Sequence, residues 1–394
     1  MNIKSIDKEY VANTYNRFDL YITGGKGSLV WDENGKEYID LGTGIAVNTF
    51  GVADDVWQQA VTQQLGKVQH TSNLYYTEPC ARLAQMLCEK TGMKKVFFSN
   101  SGAEANECAI KVARKYAAEK KGSDCYTIVT LWDSFHGRTH TTLAATGQDV
   151  FHKDFQPLTP GFVHAKANDL ADVEARIAEN KVAAVMLEIV QGEGGVNPLT
   201  KDFVQGVAKL CKEQDILLIC DEVQIGNGRS GKLYGYMHYD VQPDIVSTAK
   251  GLCAGLPLGA TMLNEKTQNV LGFSDHGSTF GGNPVCCAGA ISTIARLDDA
   301  MLAGVQERSR LIFDTLQGKP GIKSVTGLGL MLGMETEKPA KDVISECMEK
   351  KDLKRFSECV EYERERYKNV VFNLYAFCCK IKQKAKRQKC KHEK

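Results

Sequence analysis

A chain of 394 residues is long enough to bury a large core and to form two or three domains. Its formal net charge of +1 produces no overall field that favours nucleic acid, and its apolar and charged fractions, 43% and 25%, are typical of a globular protein. The N-terminus has no apolar signal core, and no segment approaches the roughly 20 apolar residues of a spanning helix, so we expect a cytoplasmic protein without a membrane segment.

Fourteen cysteines are scattered along the chain, many of them in apolar segments such as ILLIC and VCCAGA. No two of them stand at C-x-x-C spacing. The pattern favours buried free thiols over a disulfide framework or a structural zinc site, and we predict no metal site.

The first 45 residues contain a strand–turn–strand pattern, LVWDENGKEYIDL, in which the pair Asn34–Gly35 favours a tight hairpin. We assign residues 1–45 to the N-terminal part of a small domain. A larger domain is predicted to follow over residues 46–290.

Short runs rich in Val, Ile and Phe characterise the larger domain, and they lie near positions 97, 128, 186, 218, 246 and 261. These runs do not alternate in polarity, which suits strands buried on both faces of a mostly parallel sheet. Helical periodicity lies between them, as in the stretches that begin at Ala103 and Thr200. This βαβ order predicts a doubly wound α/β core.

A helical segment from about Asp298 precedes the glycine-rich run IKSVTGLGLMLGMET. The spacing G-x-G-x-x-x-G is wrong for a dinucleotide fingerprint and lies in a strand-like run, so we interpret it as close backbone packing. Residues 291–351 are predicted to complete the small domain.

The composition changes abruptly at residue 352. Residues 352–394 contain neither glycine nor proline and have thirteen Lys/Arg against six Asp/Glu. Apolar residues at helical spacing favour a helix, whereas the lysine-rich end is typical of a solvated, disordered segment. We predict a divergent basic tail, helical or disordered, that binds neither nucleic acid nor a membrane. A change of reading frame in the gene would produce such a tail.

The motif SNSGAEANE, residues 99–107, follows a predicted strand and begins a helix. The first N–H groups of a helix have no partner within it, so Ser101, Gly102 and Ala103 can form an anion cradle. The motif lacks the lysine of a P-loop, which argues against a nucleoside triphosphate and leaves a smaller phosphate, such as that of a cofactor. A serine-capped turn that binds nothing has the same letters, so the motif is weak on its own.

Two charged residues follow predicted strands at their carboxyl ends, where open α/β sheets bind ligands. Asp221 follows ILLIC, and Lys250 follows DIVSTA and precedes a glycine-rich turn. Taken alone, Asp221 is as well explained by a helix cap or surface turn, and Lys250 by a solvated surface lysine. A phosphate cradle, an aspartate and a lysine are together what pyridoxal phosphate requires, because the lysine bonds to the cofactor and the aspartate keeps the pyridine nitrogen protonated.

With these motifs the sequence resembles the class III pyridoxal-phosphate aminotransferases over roughly residues 10 to 345. The matching segments are SLVWDENGKEYIDLGTGIAVNTFG, HTSNLYYTEP, FFSNSGAEANE, SFHGRTHTTLAATG, MLEIVQGEGGVNP, CDEVQIGNGRSGKLYGY, PDIVSTAKGLCAGLPLGA and STFGGNPVCCAGA. The resemblance implies a fold-type I α/β protein, with a mostly parallel seven-stranded sheet in the large domain and a smaller α+β domain built from both chain ends. It also implies a homodimer with active sites at the subunit interface.

The resemblance assigns a cofactor site to Ser101, Gly102, Ala103, Phe135, His136, Asp221, Gln224, Lys250 and Thr279. Phe135 would lie against the pyridine ring, and Gln224 would approach its phenolic oxygen. Thr279 would reach the cofactor phosphate of the neighbouring subunit. Lys250 and Asp221 would be the catalytic residues.

The substrate site implied by the resemblance consists of Arg138, Glu193 and Ser278. Arg138 would form a fork with a substrate carboxylate, a geometry that suits arginine better than lysine. Glu193 would mask a second arginine whenever the substrate has no carboxylate there. In the family that arginine stands in a C-terminal strand in a context such as R-L-L-P, and the C-terminal part of this sequence has no such strand-like run.

Within the family the motifs are most similar to the branch that uses N-acetylornithine. We therefore expect amino transfer from N-acetylornithine to 2-oxoglutarate, a step of arginine biosynthesis. The alternatives are an aminotransferase for ornithine, succinylornithine or 4-aminobutyrate, an aminomutase, and a cofactor-binding protein in which the altered tail has impaired turnover.

Overall fold

The computed structural model describes residues 2–349. The helices are α1 (Ile3–Tyr10), α2 (Thr43–Ala46), α3 (Asp55–Leu65), α4 (Glu78–Thr91), α5 (Gly102–Lys121), α6 (His140–Ala145), α7 (Asp149–His152), α8 (Leu170–Glu179), α9 (Lys201–Glu213), α10 (Pro284–Ala295), α11 (Asp299–Leu316) and α12 (Ala340–Glu349). The strands are β1 (Ile22–Lys26), β2 (Leu29–Asp32), β3 (Glu37–Ile39), β4 (Lys95–Ser99), β5 (Thr127–Leu131), β6 (Phe162–Ala165), β7 (Val182–Glu188), β8 (Val190–Gln191), β9 (Asn197–Pro198), β10 (Leu217–Asp221), β11 (Ile245–Thr248), β12 (Gly259–Leu263), β13 (Ile322–Leu328) and β14 (Met331–Thr336). The predicted tail, residues 352–394, lies outside the described residues.

The main sheet has seven strands in the order β4-β12-β11-β10-β7-β5-β6. Neighbouring strands are parallel except at β12, which is antiparallel to both β11 and β4. The predicted mostly parallel seven-stranded sheet is therefore confirmed. Six of its strands lie at the predicted apolar runs; the seventh, β6, is a half-buried edge strand without such a run.

Both faces of this sheet are covered, which explains why β7 and β10 are buried at every residue. Residues Leu217 and Ile219 of β10 pack in the same apolar cluster as α5, whereas Leu218 packs in the cluster that contains residues of α8 and α9. Since side chains alternate between the two faces of a strand, every second residue of β10 points towards α5. This alternation determines which side chains meet at the end of the strand.

The N-terminal hairpin lies where the sequence predicts it, in a separate sheet formed by β1, β2 and β3. Asp32 closes the turn, because its Oδ1 accepts hydrogen bonds from the backbone N–H of Asn34 (2.9 Å) and Lys36 (3.0 Å). Gly35 takes a φ of +75°, a conformation that glycine adopts without strain.

The glycine-rich run near residue 329 forms the hairpin of β13 and β14 rather than one strand-like segment. Gly329 has a φ of +59°, and a Cβ there would lie 2.5 Å from the Cα of Ser230. The predicted close backbone packing is thus present, and it joins this hairpin to the loop after β10.

Among residues 2–349, no helix is both long and apolar enough to cross a membrane. The cysteines of this range carry free thiols. No group of three or more His, Cys, Asp or Glu side chains in the same range is arranged to hold a metal ion.

Candidate active site

Three neighbouring strands of the main sheet end in polar side chains. The register aligns Glu188 of β7 with Asp221 of β10, and Asp221 with Ser247 of β11. Asp221 shares its face of the sheet with Leu217 and Ile219, which pack with α5. Glu188, Asp221 and Ser247 therefore form one row on the α5 side of the sheet, at the carboxyl ends of parallel strands.

Asp221 is 4% exposed and accepts three hydrogen bonds. Its Oδ2 accepts from Nδ2 of Asn106 (2.7 Å) and from Nδ1 of His136 (2.8 Å), and its Oδ1 accepts from the backbone N–H of Val223 (3.0 Å). Three donors offset the cost of burying a carboxylate and fix the orientation of its oxygens. The predicted strand-end aspartate is thus a buried anchor rather than a surface turn.

His136 is buried beside Asp221. Burial lowers the pKa of the imidazole, but the hydrogen bond to Asp221 and the charge of that carboxylate outweigh burial and raise the pKa above its ordinary value. Its Nε2 and the Oδ1 of Asn106 are buried and have no hydrogen-bond partner within residues 2–349. Unpaired buried polar atoms are costly, and here they lie next to the carboxylate predicted to meet a ligand.

The predicted anion cradle forms the first turn of α5. The Oγ of Ser101 caps the helix by accepting from the N–H of Glu104 (3.2 Å), whereas the N–H groups of Gly102 and Ala103 donate to no acceptor within the described part of the chain. A Cβ at Gly102 would lie 2.5 Å from Cγ1 of Val223, so only glycine allows this close contact. Two free donors at the positive end of a helix are suited to a phosphate.

The loop after β5 lies directly against this cradle. Gly137 has a φ of +143°, and a Cβ at that position would lie 2.9 Å from the Cβ of Ala103. Phe135 of the same loop is half-buried, and its backbone N–H donates to Oε1 of Glu188 (2.8 Å). The predicted ring-contacting phenylalanine is therefore fixed close to both the cradle and the strand ends.

Arg138 follows in the same loop and is exposed. Its guanidinium carbon lies 4.3 Å from the ring centroid of Phe151 and 5.5 Å from that of Phe135. These cation–π contacts orient the side chain, and within residues 2–349 it makes no hydrogen bond or ion pair. Its five N–H donors are free to bind a carboxylate.

Gln224 and Glu193 are both adjacent to Gly192. Gln224 is 9% exposed, and its Oε1 is so close to Gly192 that a Cβ on that glycine would overlap it. Glu193, the next residue, is half-buried. Gly192 therefore connects the two predicted site residues, since it contacts Gln224 and is bonded to Glu193.

Lys250 stands immediately after β11 with a φ of +48°, which is strained for a residue with a side chain. Its neighbours hold this conformation. Oγ1 of Thr49 donates to the carbonyl of Gly251 (3.0 Å), and Nδ2 of Asn227 donates to the carbonyl of Ala249 (3.0 Å). The backbone at Lys250 is therefore fixed, while its amine makes no hydrogen bond or ion pair with the residues described.

Burial lowers the pKa of Lys250, and the negative charges of Glu193, Asp221 and Glu188 only partly offset that effect. A lower pKa increases the fraction of neutral amine, which is the nucleophilic form. The predicted surface-lysine alternative does not fit a half-buried residue whose amine is within electrostatic range of three carboxyl groups.

Ser278 and Thr279 lie in a turn that borders the cradle of the same chain. Oγ of Ser278 accepts hydrogen bonds from Nδ2 of Asn100 (3.2 Å) and from the N–H of Gly281 (2.9 Å). Thr279 is exposed. Its contact with the cofactor of a partner subunit stays a prediction.

The residues brought together fit pyridoxal phosphate. Free N–H groups at Gly102 and Ala103 suit the phosphate, the charge of Asp221 suits a protonated ring nitrogen, and the unpaired amine of Lys250 suits a covalent bond to an aldehyde. No part of this donor set requires a metal ion.

The family model for class III aminotransferases matches residues 10–353. The chain belongs to the class III aminotransferases. It is therefore an enzyme that depends on pyridoxal phosphate, as the sequence motifs predict.

Individual members of the family are similar over most of their length. An acetylornithine aminotransferase of Haemophilus ducreyi is 51% identical over 348 residues, which are 88% of each chain. A succinylornithine transaminase of Citrobacter koseri is 46% identical over 84% of this chain and 82% of its own. The crystal structure of an ornithine aminotransferase from Toxoplasma gondii, with pyridoxal phosphate at partial occupancy, has a TM-score of 0.82 and 34% identity, and the match covers 87% of this chain and 83% of that one.

Two buried residues of this aminotransferase site, Asn106 and Glu188, were not predicted from the sequence. Asn106 is the one strongly polar residue among the buried residues of α5, so a polar residue at that position was the available signal. Glu188 ends an apolar strand just as Asp221 does. Only the strand register shows that the two carboxyl groups are neighbours.

Proposed function

We propose that this chain transfers the amino group of N-acetylornithine to 2-oxoglutarate, which gives N-acetylglutamate 5-semialdehyde and glutamate in a step of arginine biosynthesis. The observation that carries this assignment is the 51% identity to the acetylornithine aminotransferase of Haemophilus ducreyi. Transfer from N-succinylornithine is the second candidate, because the succinylornithine transaminase of Citrobacter koseri is 46% identical.

The cofactor residues would act as a fixed frame. The N–H groups of Gly102 and Ala103 hold the phosphate, Phe135 covers one face of the ring, and Asp221 keeps a proton on the ring nitrogen. When bound, pyridoxal phosphate supplies an electron sink and stores the amino group between the two half-reactions. His136 and Asn106 act through Asp221, since both donate to its Oδ2.

The remaining residues would handle the substrate and its proton. Lys250 would hold the cofactor between turnovers. Once the incoming substrate amine has released it, its Nζ would take the proton from the amino-bearing carbon and donate it to the cofactor. Arg138 binds the α-carboxylate as a two-pronged donor, with Glu193 and Ser278 at the same opening. Gln224 approaches the phenolic oxygen of the cofactor.

We also propose that the active form is a homodimer in the cytoplasm, with Thr279 completing the partner's phosphate site. An aromatic surface supports this, because Leu74, Tyr75 and Tyr76 are 80%, 73% and 105% exposed and Phe280, at 59%, follows Thr279 directly. Asn73 joins the two segments by donating to the carbonyl of Gly281 (2.8 Å). Clusters of exposed aromatic residues commonly mark protein interfaces.

The domain boundaries are part of the same proposal. Residues 46–290 would form the cofactor-binding domain, with residues 1–45 and 291–351 forming the small domain. Limited proteolysis that cuts near residues 45 and 290 before it degrades the core would support this division, and early cuts inside the main sheet would contradict it.

A donor screen tests the substrate assignment. The full-length protein, loaded with cofactor, is mixed with N-acetylornithine, N-succinylornithine, ornithine or 4-aminobutyrate plus 2-oxoglutarate, and glutamate and the aldehyde are identified by mass spectrometry. The highest kcat/KM for N-acetylornithine is expected. Preference for another donor would move the enzyme to that branch of the family, and bound cofactor without glutamate from any donor would indicate a protein with impaired turnover.

A matched pair of variants tests the dimer. Tyr76→Asp should shift the protein to monomer in analytical ultracentrifugation and weaken cofactor binding, because Thr279 of the partner is lost. Val56→Asp changes a different exposed apolar residue, 51% exposed on α3, and should leave the dimer intact. A dimer that survives Tyr76→Asp would contradict this interface.

A further inference from the structure

Glu188 is a buried carboxyl group placed beside Asp221 but held by different donors. It is 6% exposed, and its strand neighbour in register is Asp221. Its Oε1 accepts from the backbone N–H of Phe135 (2.8 Å) and its Oε2 from that of Gly192 (3.4 Å). One carboxyl group thus connects the Phe135 loop and the Gly192 loop to the end of β7.

Each of these loops carries a residue assigned to the cofactor or the substrate. Phe135 is itself the residue that covers the ring. Gly192 lies against Oε1 of Gln224 and precedes Glu193. A change at Glu188 would therefore move the covering ring and the Gln224 contact together.

The charge of Glu188 depends on its surroundings. Burial raises its pKa to about 7; the neighbouring charge of Asp221 acts in the same direction, whereas His136 and the two backbone donors act in the opposite direction. Lys250 also lies within electrostatic range. A neutral Glu188 leaves Asp221 as the charged member of the pair, which is the arrangement that a protonated ring nitrogen requires.

We propose that Glu188 is a positioning residue of this aminotransferase: its carboxyl group ties the Phe135 loop and the Gly192 loop to the sheet edge that carries Asp221, and thereby determines how closely the cofactor ring is held. This inference rests on the proposed roles of Phe135 and Asp221.

The test compares Glu188 with a second buried glutamate that serves as a matched control. Glu222 is 0% exposed, and its carboxyl group also accepts from two backbone N–H groups, those of Gly235 (2.7 Å) and Tyr236 (2.8 Å). Neither of its partners belongs to the Phe135 loop or the Gly192 loop. Glu188→Ala, Glu188→Gln and Glu222→Ala are made in the full chain, and thermal unfolding, the Kd for pyridoxal phosphate, the visible circular dichroism of the bound cofactor, kcat and KM are measured.

Both alanine variants should lower the Tm, because each leaves two buried donors without an acceptor. Glu188→Ala should in addition weaken cofactor binding by about tenfold or more and reduce the circular dichroism, whereas Glu222→Ala should change neither by more than about threefold. Glu188→Gln retains an acceptor for Phe135, so it should restore binding to within about threefold of the parent and remove the pH dependence of the dichroism between about pH 6 and 8.

Equal cofactor affinity and dichroism in Glu188→Ala and Glu222→Ala would overturn the inference, and so would a glutamine variant that keeps the pH dependence of the parent. A parent protein that binds no pyridoxal phosphate would instead refute the proposed function. The glutamine variant retains the shape of the side chain, so it supplies the test even if Glu188→Ala does not fold.

Discussion

The cofactor side of the site and its substrate side are built in different ways. On the cofactor side, Asp221 and His136 are almost fully buried and bonded to each other. On the substrate side, Arg138 is exposed and Glu193 is half-buried. Packing among the described residues fixes the groups proposed to hold the cofactor, whereas the groups proposed to bind the substrate lie nearer the surface.

This difference determines what substitutions should do. A change on the cofactor side should lower the turnover rate with every substrate to the same extent, because both half-reactions use the same cofactor. A change on the substrate side should alter kcat/KM for one substrate more than for another.

Replacing Lys250 by alanine should have the largest effect, a loss of turnover by at least about ten-thousandfold with all substrates, because the group that moves the proton is removed. Steady-state rates with N-acetylornithine and 2-oxoglutarate measure this loss. Cofactor retained after dialysis should fall only in part, since the phosphate cradle remains. Lys201→Ala, an exposed lysine on α9, is the control and should be as active as the parent. If the Lys250→Ala variant kept a tenth of the parent rate, Lys250 could not be the residue that moves the proton.

Asp221→Asn should leave the fold intact but lower both half-reactions by about a thousandfold, since an unprotonated ring nitrogen makes a poor electron sink. Each tenfold loss corresponds to about 1.4 kcal/mol of barrier. Single-turnover rates for each half-reaction measure the effect. Rates within threefold of the parent would mean that Asp221 has only a structural role. A loss in one half-reaction alone would contradict the distinction between the cofactor side and the substrate side.

The two half-reactions of the parent should themselves differ, which is a prediction for the substrate side. N-acetylornithine offers one carboxylate, which Arg138 can bind, whereas 2-oxoglutarate offers two, and the C-terminal part of the sequence lacks the family's second arginine. We expect kcat/KM for the 2-oxoglutarate half-reaction to be lower on the order of a hundredfold, the usual effect of losing one charged contact. Rapid mixing with absorbance detection measures both.

Glu193→Ala serves as the control for this difference. The C-terminal sequence has no run such as R-L-L-P, so this substitution should change the ratio little. Comparable efficiencies in the two half-reactions would mean that another arginine has taken over the role. Arg355, Arg364 and Arg366, which lie outside the described residues, would then be the first to replace.

The smallest effect concerns stability and not turnover. Burial raises the pKa of Glu222 from 4.5 to about 8. The folded state then binds this proton more tightly than the unfolded state, so the free energy of unfolding should fall as the pH rises from about 4.5 to about 8, by up to about 1.4 kcal/mol per pH unit.

Glu222→Gln should reduce the pH dependence of the free energy of unfolding and leave activity unchanged. Denaturant unfolding at several pH values measures this free energy. Glu213→Gln, an exposed position on α9, should keep the parent slope. Parallel slopes in the parent and Glu222→Gln would show that Glu222 ionises normally.

The parts predictable from sequence were those with a strong local signal. The six short apolar runs predicted their strands, and strand-end positions pointed to Asp221 and Lys250 as candidate site residues. Edge strand β6 was missed because half-buried strands need no apolar run. Asn106 and Glu188 were missed because their importance depends on which residues the helix and the neighbouring strand bring opposite them, and strand register is not readable from one sequence.

The most direct measurement is to map the lysine that bonds to the cofactor. The protein loaded with pyridoxal phosphate is reduced with borohydride, digested and analysed by mass spectrometry. The cofactor mass should lie on Lys250, because this residue is half-buried and its amine is unpaired among the described residues and within electrostatic range of Asp221. A label on any other lysine, or a protein that takes up no label, would contradict the assignment of this site.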